Sequence, residues 1–225
     1  MSSGYFVTGT DTGVGKTMMT CALLHEFARR GRRVVGMKPV AAGAVRDAGV
    51  LRSDDVTMLR AASNVDAPPR LVNPYSFEPP IAPHVAAERA GVAIDIAHIA
   101  RAYGELAAAA DVVMVEGVGG FCVPLSRGSD TADLAHELGL PVILVVGLRL
   151  GCLSHALLTA RAIREARLKL AGWIANRIDP AMAAADDSVR ALVERLAAPL
   201  LGDIGYAAHP EPREFGALLD LSRLG

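Results

Sequence analysis

Cysteine is scarce: three residues among 225, at 21, 122 and 152. The odd total and the lack of any CxxC leave neither a disulfide framework nor a zinc-binding spacing. Charge of one sign is missing too. Lys and Arg nearly balance Asp and Glu, and the net charge of −1 offers no electrostatic basis for binding nucleic acid or an anionic membrane. No apolar run reaches the roughly 18–20 residues that cross a bilayer. The amino-terminal segment lacks a basic stretch followed by a long apolar one, so no signal peptide is legible. The six histidines show no HxH or HExxH pairing that would hold a metal. These absences point to a protein of a reducing cytoplasm.

What remains is 52% apolar and strongly patterned. Short runs rich in Val and Ile occupy residues 5–8, 33–37, 111–115, 141–146, 171–175 and 200–204. Each is apolar nearly throughout, as strands covered on both faces must be. Helical patterns separate them: residues 17–30, ending at Gly31 as a left-handed cap; a segment that Asp95 caps, with Ile96, Ile99, Tyr103 and Leu106 at helical spacing; and residues 152–166 and 186–196. Strand–helix alternation without repeats predicts a doubly wound α/β fold, a mainly parallel sheet with helices on both faces. The proline-rich stretch 62–83 reads as an ordered loop. A single domain over 1–225 is the expected organisation.

The first strand leads into Gly9-Thr10-Asp11-Thr12-Gly13-Val14-Gly15-Lys16-Thr17 and then a helix, the layout of a phosphate-binding P-loop. Glycines let successive N–H groups turn toward one anion, and the helix N-terminus adds partial positive charge. Lys16 would neutralise β and γ oxygens, and the Thr17 hydroxyl would ligate Mg²⁺. The spacing departs from GxxxxGK[ST] by one position, since Thr10 stands where the first glycine belongs. A second carboxylate for the metal is offered by DVVMVEGVGG, in which a buried strand ends in Glu116. Ligands of doubly wound sheets sit beyond the carboxyl ends of the strands, so Glu116 should emerge beside Thr17. Lys38, in GMKPVAAG, follows the second strand directly. It either faces the same crevice as Lys16 or closes the strand as a surface lysine.

The chain resembles the dethiobiotin synthetase family through GTDTGVGKT, KPVAAG, SDDV, NPYSFEPPIAPH, VEGVGG, PVILVVGLRLGCLSHALLTA, LAGWIAN and PLLG, in order along most of its length. The resemblance implies an ATP-dependent ligase acting on 7,8-diaminononanoate and CO₂ through a carbamate and a carbamic–phosphoric anhydride. It makes Lys16 and Lys38 the catalytic pair and Thr17, Asp55 and Glu116 the Mg²⁺ ligands. ATP would lie against Gly13, Val14, Gly15, Lys16, Thr17, Met18, Asp55, Glu116, Gly117, Val118, Gly119, Asn176 and Arg177. The diamine would lie against Thr12, Lys38, Ala42, Gly151, Cys152 and Ser154, the last three reaching across a homodimer interface. Asp55 rather than its neighbour Asp54 is the implied ligand.

The chain departs from the family at Ala42, where serine is common, and at Ser154, where asparagine is familiar. Asn176-Arg177-Ile178-Asp179 imitates the guanine reader of GTPases, but the resemblance makes Asn176 an adenine reader, because one carboxamide both accepts from and donates to adenine. Asp179 precedes Pro180, which pushes its backbone to an extended form. Two other classes share the loop. A nucleotide-switch ATPase acting through a protein partner usually carries a second lysine early in the P-loop, absent here. A small-molecule kinase would make a phosphoester instead of a ring.

Overall fold

The computed structural model describes residues 3–224. Strand β1 (Ser3–Gly9) runs into helix α1 (Lys16–Arg29), and β2 (Val34–Met37) follows. Three short strands come next: β3 (Val40–Ala42), β4 (Val45–Asp47) and β5 (Val50–Arg52). Helices α2 (Asp54–Ala62) and α3 (Pro69–Val72), strand β6 (Tyr75–Phe77), and helices α4 (Pro83–Arg89) and α5 (Ile96–Ala109) lead to β7 (Val112–Glu116). The chain continues through α6 (Thr131–Leu138), β8 (Val142–Gly147), α7 (Cys152–Glu165) and β9 (Leu170–Asn176). It ends with α8 (Ala185–Arg195), β10 (Leu200–Ile204) and α9 (Pro212–Gly216).

Six strands form one parallel sheet in the order β10-β9-β8-β1-β7-β2. All six expected strands are there, shifted by a residue or two at their ends. Their side chains alternate between two apolar layers. Tyr5, Val7, Val112 and Met114 face α1, α2 and α9, while Phe6, Val113 and Val115 face the layer of α5 and α6. Further along the sheet, Leu144, Val146, Trp173 and Ala175 pack under α7 and α8. Burial on both faces is why these strands read as unbroken apolar runs. Gly31 takes φ +76° just after α1, and Asp95 accepts from Ala97 N at 2.9 Å to cap α5, both as expected.

The stretch 62–83 is ordered but is more than a loop. It contains α3 and β6, and β6 pairs in parallel with β3, a contact 35 residues away in register that no local pattern announces. Helix α6 carries a local signal that the strand–helix reading passed over. Asp130 and Asp133 form a reciprocal capping box, with aspartate where glutamate or glutamine is usual.

Strand β1 sits between β7 and β8, and β2 lies beyond β7. The carboxyl ends of β1, β2 and β7 therefore open at the reversal of strand order, where the loops diverge and leave a crevice.

Candidate active site

The P-loop is held from below. Val14 is buried, and the Asn176 carboxamide donates to its carbonyl at 2.9 Å. Gly15, at φ +88°, begins α1; a Cβ there would lie 2.3 Å from Asn176 Nδ2. Only glycine fits both the left-handed backbone and that close approach. Lys16 turns its ammonium back over the loop, donating to the Asp11 carbonyl at 3.0 Å.

Thr17, in the first turn of α1, meets the end of β7 and the first turn of α2. Its hydroxyl lies 2.8 Å from Glu116 Oε1 and 2.9 Å from Asp55 Oδ1, and one proton cannot serve both contacts at once. Lys38 sits behind this trio, 2.5 Å from Glu116 Oε1, 2.8 Å from Asp55 Oδ2 and 3.2 Å from the Gly117 carbonyl. Of the two readings of Lys38, the structure supports the crevice: the residue is 3% exposed. Asp54 is exposed and Asp55 half-buried, so Asp55 is the member of the pair that enters the cluster. Glu116 is fully buried and its Oε2 has no partner. An orphaned buried carboxylate oxygen beside a second carboxylate and a hydroxyl is the donor set of a hard cation. Among the described residues no group of three or more His, Cys, Asp or Glu is placed to hold a metal, so such a cation would take its other ligands from phosphate and water.

The charges tune one another. Burial, then the nearby Lys38 ammonium, pulls Lys16 down to about 8. Burial also opposes the charge on Lys38, but the Glu116 and Asp55 carboxylates outweigh it and hold Lys38 above the usual lysine value. Burial pushes Asp55 up, and the Lys38 charge and the hydrogen bonds from Lys38 and Thr17 overcome it, leaving Asp55 below the usual carboxylate value.

These groups line a cavity of about 830 Å³. Thr12, Gly13, Gly15, Met18, Ala42, Val118 and Gly119 stand on its wall with Lys16, Thr17, Lys38, Asp55 and Glu116. The remaining sequence-derived positions stand elsewhere. Gly117 contributes its carbonyl to Lys38 rather than a face to the cavity. Asn176 faces the underside of the P-loop, and the Arg177 guanidinium is bonded to Asp203 and Asp186 at 2.6–2.8 Å. Gly151, Cys152 and Ser154 are not on this cavity's wall. The Cys152 side chain is 3% exposed in the core under α7, and its N–H is taken by the Arg149 carbonyl at 3.0 Å. Of the three, only Gly151 and Ser154 face outward.

Sequence reasoning missed an apolar wall made by Met58 of α2 and by Pro80, Ile81, Ala82 and Pro83. The proline cluster was visible, but nothing local says that β3 and β6 pair and carry it to the P-loop. It also missed an ion pair between Arg149 and Asp11.

A model of the AAA domain family matches residues 3–212. The chain is 56% identical over 225 residues to the ATP-dependent dethiobiotin synthetase BioD of Nitrosospira multiformis, covering 100% of this chain and 98% of that protein. It is 57% identical over 217 residues to the protein of the same name from Aromatoleum aromaticum, covering 96% of each. The chain belongs to the dethiobiotin synthetase family. Among solved structures, MinD of Pyrococcus horikoshii in complex with Mg-ADP matches this family member with TM-score 0.56 at 18% identity, over 97% of this chain and 86% of that one. MinD of Aquifex aeolicus matches with TM-score 0.55 at 19%, over 96% and 86%. FtsY of Elizabethkingia anophelis matches with 0.52 at 18%, this chain spanning 65% of its length. At such identities these likenesses show the fold alone: a synthetase-family sequence on a P-loop α/β sheet.

Proposed function

We propose that the whole chain acts as one ligase unit, carboxylating 7,8-diaminononanoate with CO₂ and closing it to dethiobiotin at the cost of ATP. The observation that carries this reading is Lys38. A buried second ammonium sits against Glu116 and Asp55, on the wall of the cavity that Lys16 and the P-loop share.

One uncharged amine attacks CO₂, forming an N–C bond and losing a proton to give a carbamate. A carbamate oxygen then attacks the γ phosphorus, and the bond to the bridging oxygen breaks as ADP leaves. The second amine attacks the carbonyl carbon; phosphate departs with the C–O pair, a proton is lost, and the five-membered ring is closed. The chain supplies positioning and charge stabilisation. Lys16 neutralises the β and γ oxygens. Lys38 balances charge on the carbamate and the anhydride, and the two ammonium groups together favour the neutral, nucleophilic amine. Thr17, Asp55 and Glu116 would hold Mg²⁺, which neutralises the phosphate oxygens when bound. Thr12 and Ala42 flank the diamine, and Met58 and Ile81 offer an apolar wall to its methylenes.

In this reading the molecule works as a homodimer in which Gly151 and Ser154 of one copy hold the diamine's carboxylate in the other copy's cavity. Leu150, 95% exposed, and Leu158, 58% exposed, support a covered face there. Asn176 reads adenine, so ATP supports turnover far better than GTP; equal kcat/KM for the two would overturn that assignment. No helix among the described residues is long and apolar enough to cross a membrane. ATP use and free thiols support a cytoplasmic enzyme, and the net charge of −1 supports one without a nucleic-acid or membrane partner. The switch-ATPase alternative rests only on a fold likeness, without the second P-loop lysine.

The test is incubation with ¹⁴C-bicarbonate, diamine and MgATP. Label in an acid-stable product, dependent on all three, is expected. ATP hydrolysis without fixed label, or a phosphoester product, overturns the proposal.

A further inference from the structure

Asp11 has no role in the chemistry above, yet all three of its oxygens are engaged. Its carbonyl accepts from Lys16 Nζ at 3.0 Å. Its Oδ1 accepts from Thr12 N at 2.7 Å, and its Oδ2 accepts from the Arg149 guanidinium. Arg149 lies in the turn between β8 and α7. Its own carbonyl takes the Cys152 N–H at 3.0 Å as α7 begins, and the N–H of the preceding residue, fully buried Leu148, bonds to the Asn176 carbonyl at 2.7 Å. Asn176 returns to the P-loop through Val14 O at 2.9 Å. The contacts thus form a closed ring from Asp11 to Arg149, through Leu148 to Asn176, and back to the loop.

We propose that Asp11 and Arg149 are a positioning pair that sets the phosphate loop and the turn before α7 in one geometry. The inference rests on the reading above, in which that turn serves the diamine in the partner copy's cavity. A P-loop serves its own chain's site and the turn serves the partner's, so the pair joins the nucleotide of one site to the diamine tail of the other. Asp11 stands on the cavity wall, but the reading above gives neither residue a reacting atom to contact. The physical basis is that Lys16 is anchored on the backbone of the residue whose carboxylate Arg149 holds. Movement of the turn therefore reaches the ammonium through one residue.

Both side chains are about half exposed, so their substitution leaves the fold intact, which thermal melting checks. The full-length protein is compared as wild type, D11N, R149M, D11N/R149M and R149K in the labelled-bicarbonate assay, with ADP affinity read by fluorescence titration. R149M raises KM for both ATP and diamine by about fivefold, the scale of a partly exposed ion pair, and changes kcat less. The double variant is no worse than its worse single parent, because the two residues act as one unit, and R149K recovers most of the loss. A KM change confined to one substrate, or losses that multiply in the double variant, overturns the pair. Absence of labelled product from the wild type would instead defeat the functional reading, so the two failures are distinguishable.

Discussion

Replacing Lys38 by methionine keeps the aliphatic stem and deletes the ammonium. In the wild-type chain that ammonium contacts Glu116 at 2.5 Å and Asp55 at 2.8 Å. Glu116 is fully buried with one oxygen already unpartnered, so the variant leaves it only the Thr17 hydroxyl. Stranding one member of a buried pair costs about 3–5 kcal/mol. Urea unfolding at pH 7 reads this loss. K38M/E116Q removes the stranded charge and recovers much of the stability, while still forming almost no labelled product, because both the stabilising donor and a metal-side carboxylate are gone; loss of one such donor alone costs about 10²–10³ in kcat. A deficit under about 1 kcal/mol, well short of the cost of stranding a buried partner, or a double variant less stable than K38M, refutes the buried-pair reasoning. Wild-type turnover by K38M removes Lys38 from the mechanism.

Because burial and the Lys38 charge hold Lys16 near 8, ADP binding to the free protein weakens by about tenfold per pH unit above that point; fluorescence titration from pH 7 to 9.5 checks this, and a flat profile contradicts it. D55N raises the Mg²⁺ concentration needed for half-maximal activity by at least about tenfold, while D54N leaves it unchanged; equal effects would mean that the pair is wrongly assigned. Gly15→Ala, with φ +88° and a Cβ only 2.3 Å from Asn176 Nδ2, disrupts the P-loop and abolishes ADP binding. Binding within about twofold of wild type would show that the loop relaxes more easily than its geometry implies.

The parallel sheet was readable because each strand buries both faces, which writes itself as a continuous Val/Ile run. The phosphate loop was readable because its backbone geometry demands particular residues at fixed spacing: glycine at 13 and 15, then Lys16 and Thr17. Glu116 was legible as an acid ending a buried strand. Lys38 was ambiguous, since a strand-ending lysine looks the same in a solvated or a buried setting. Deciding it required Glu116, 78 residues away, and Asp55 from α2. Residues 62–83 were misread as loop because β6 is three residues long and gains its partner only from β3.

Local sequence thus determined the six strands of the main sheet and helices α1, α5, α7 and α8, where the phosphate turn lies, and which residues resemble a family's machinery, because those demands act over a few neighbouring residues. Tertiary structure alone decided that Lys38 is buried among acids, that the Pro80, Ile81, Ala82 and Pro83 strap walls the cavity, that Cys152 points into the core, and that Arg149 meets Asp11 across 138 positions. Each of these depends on which distant strand ends the sheet order brings side by side, and that ordering is written in no single stretch of the chain.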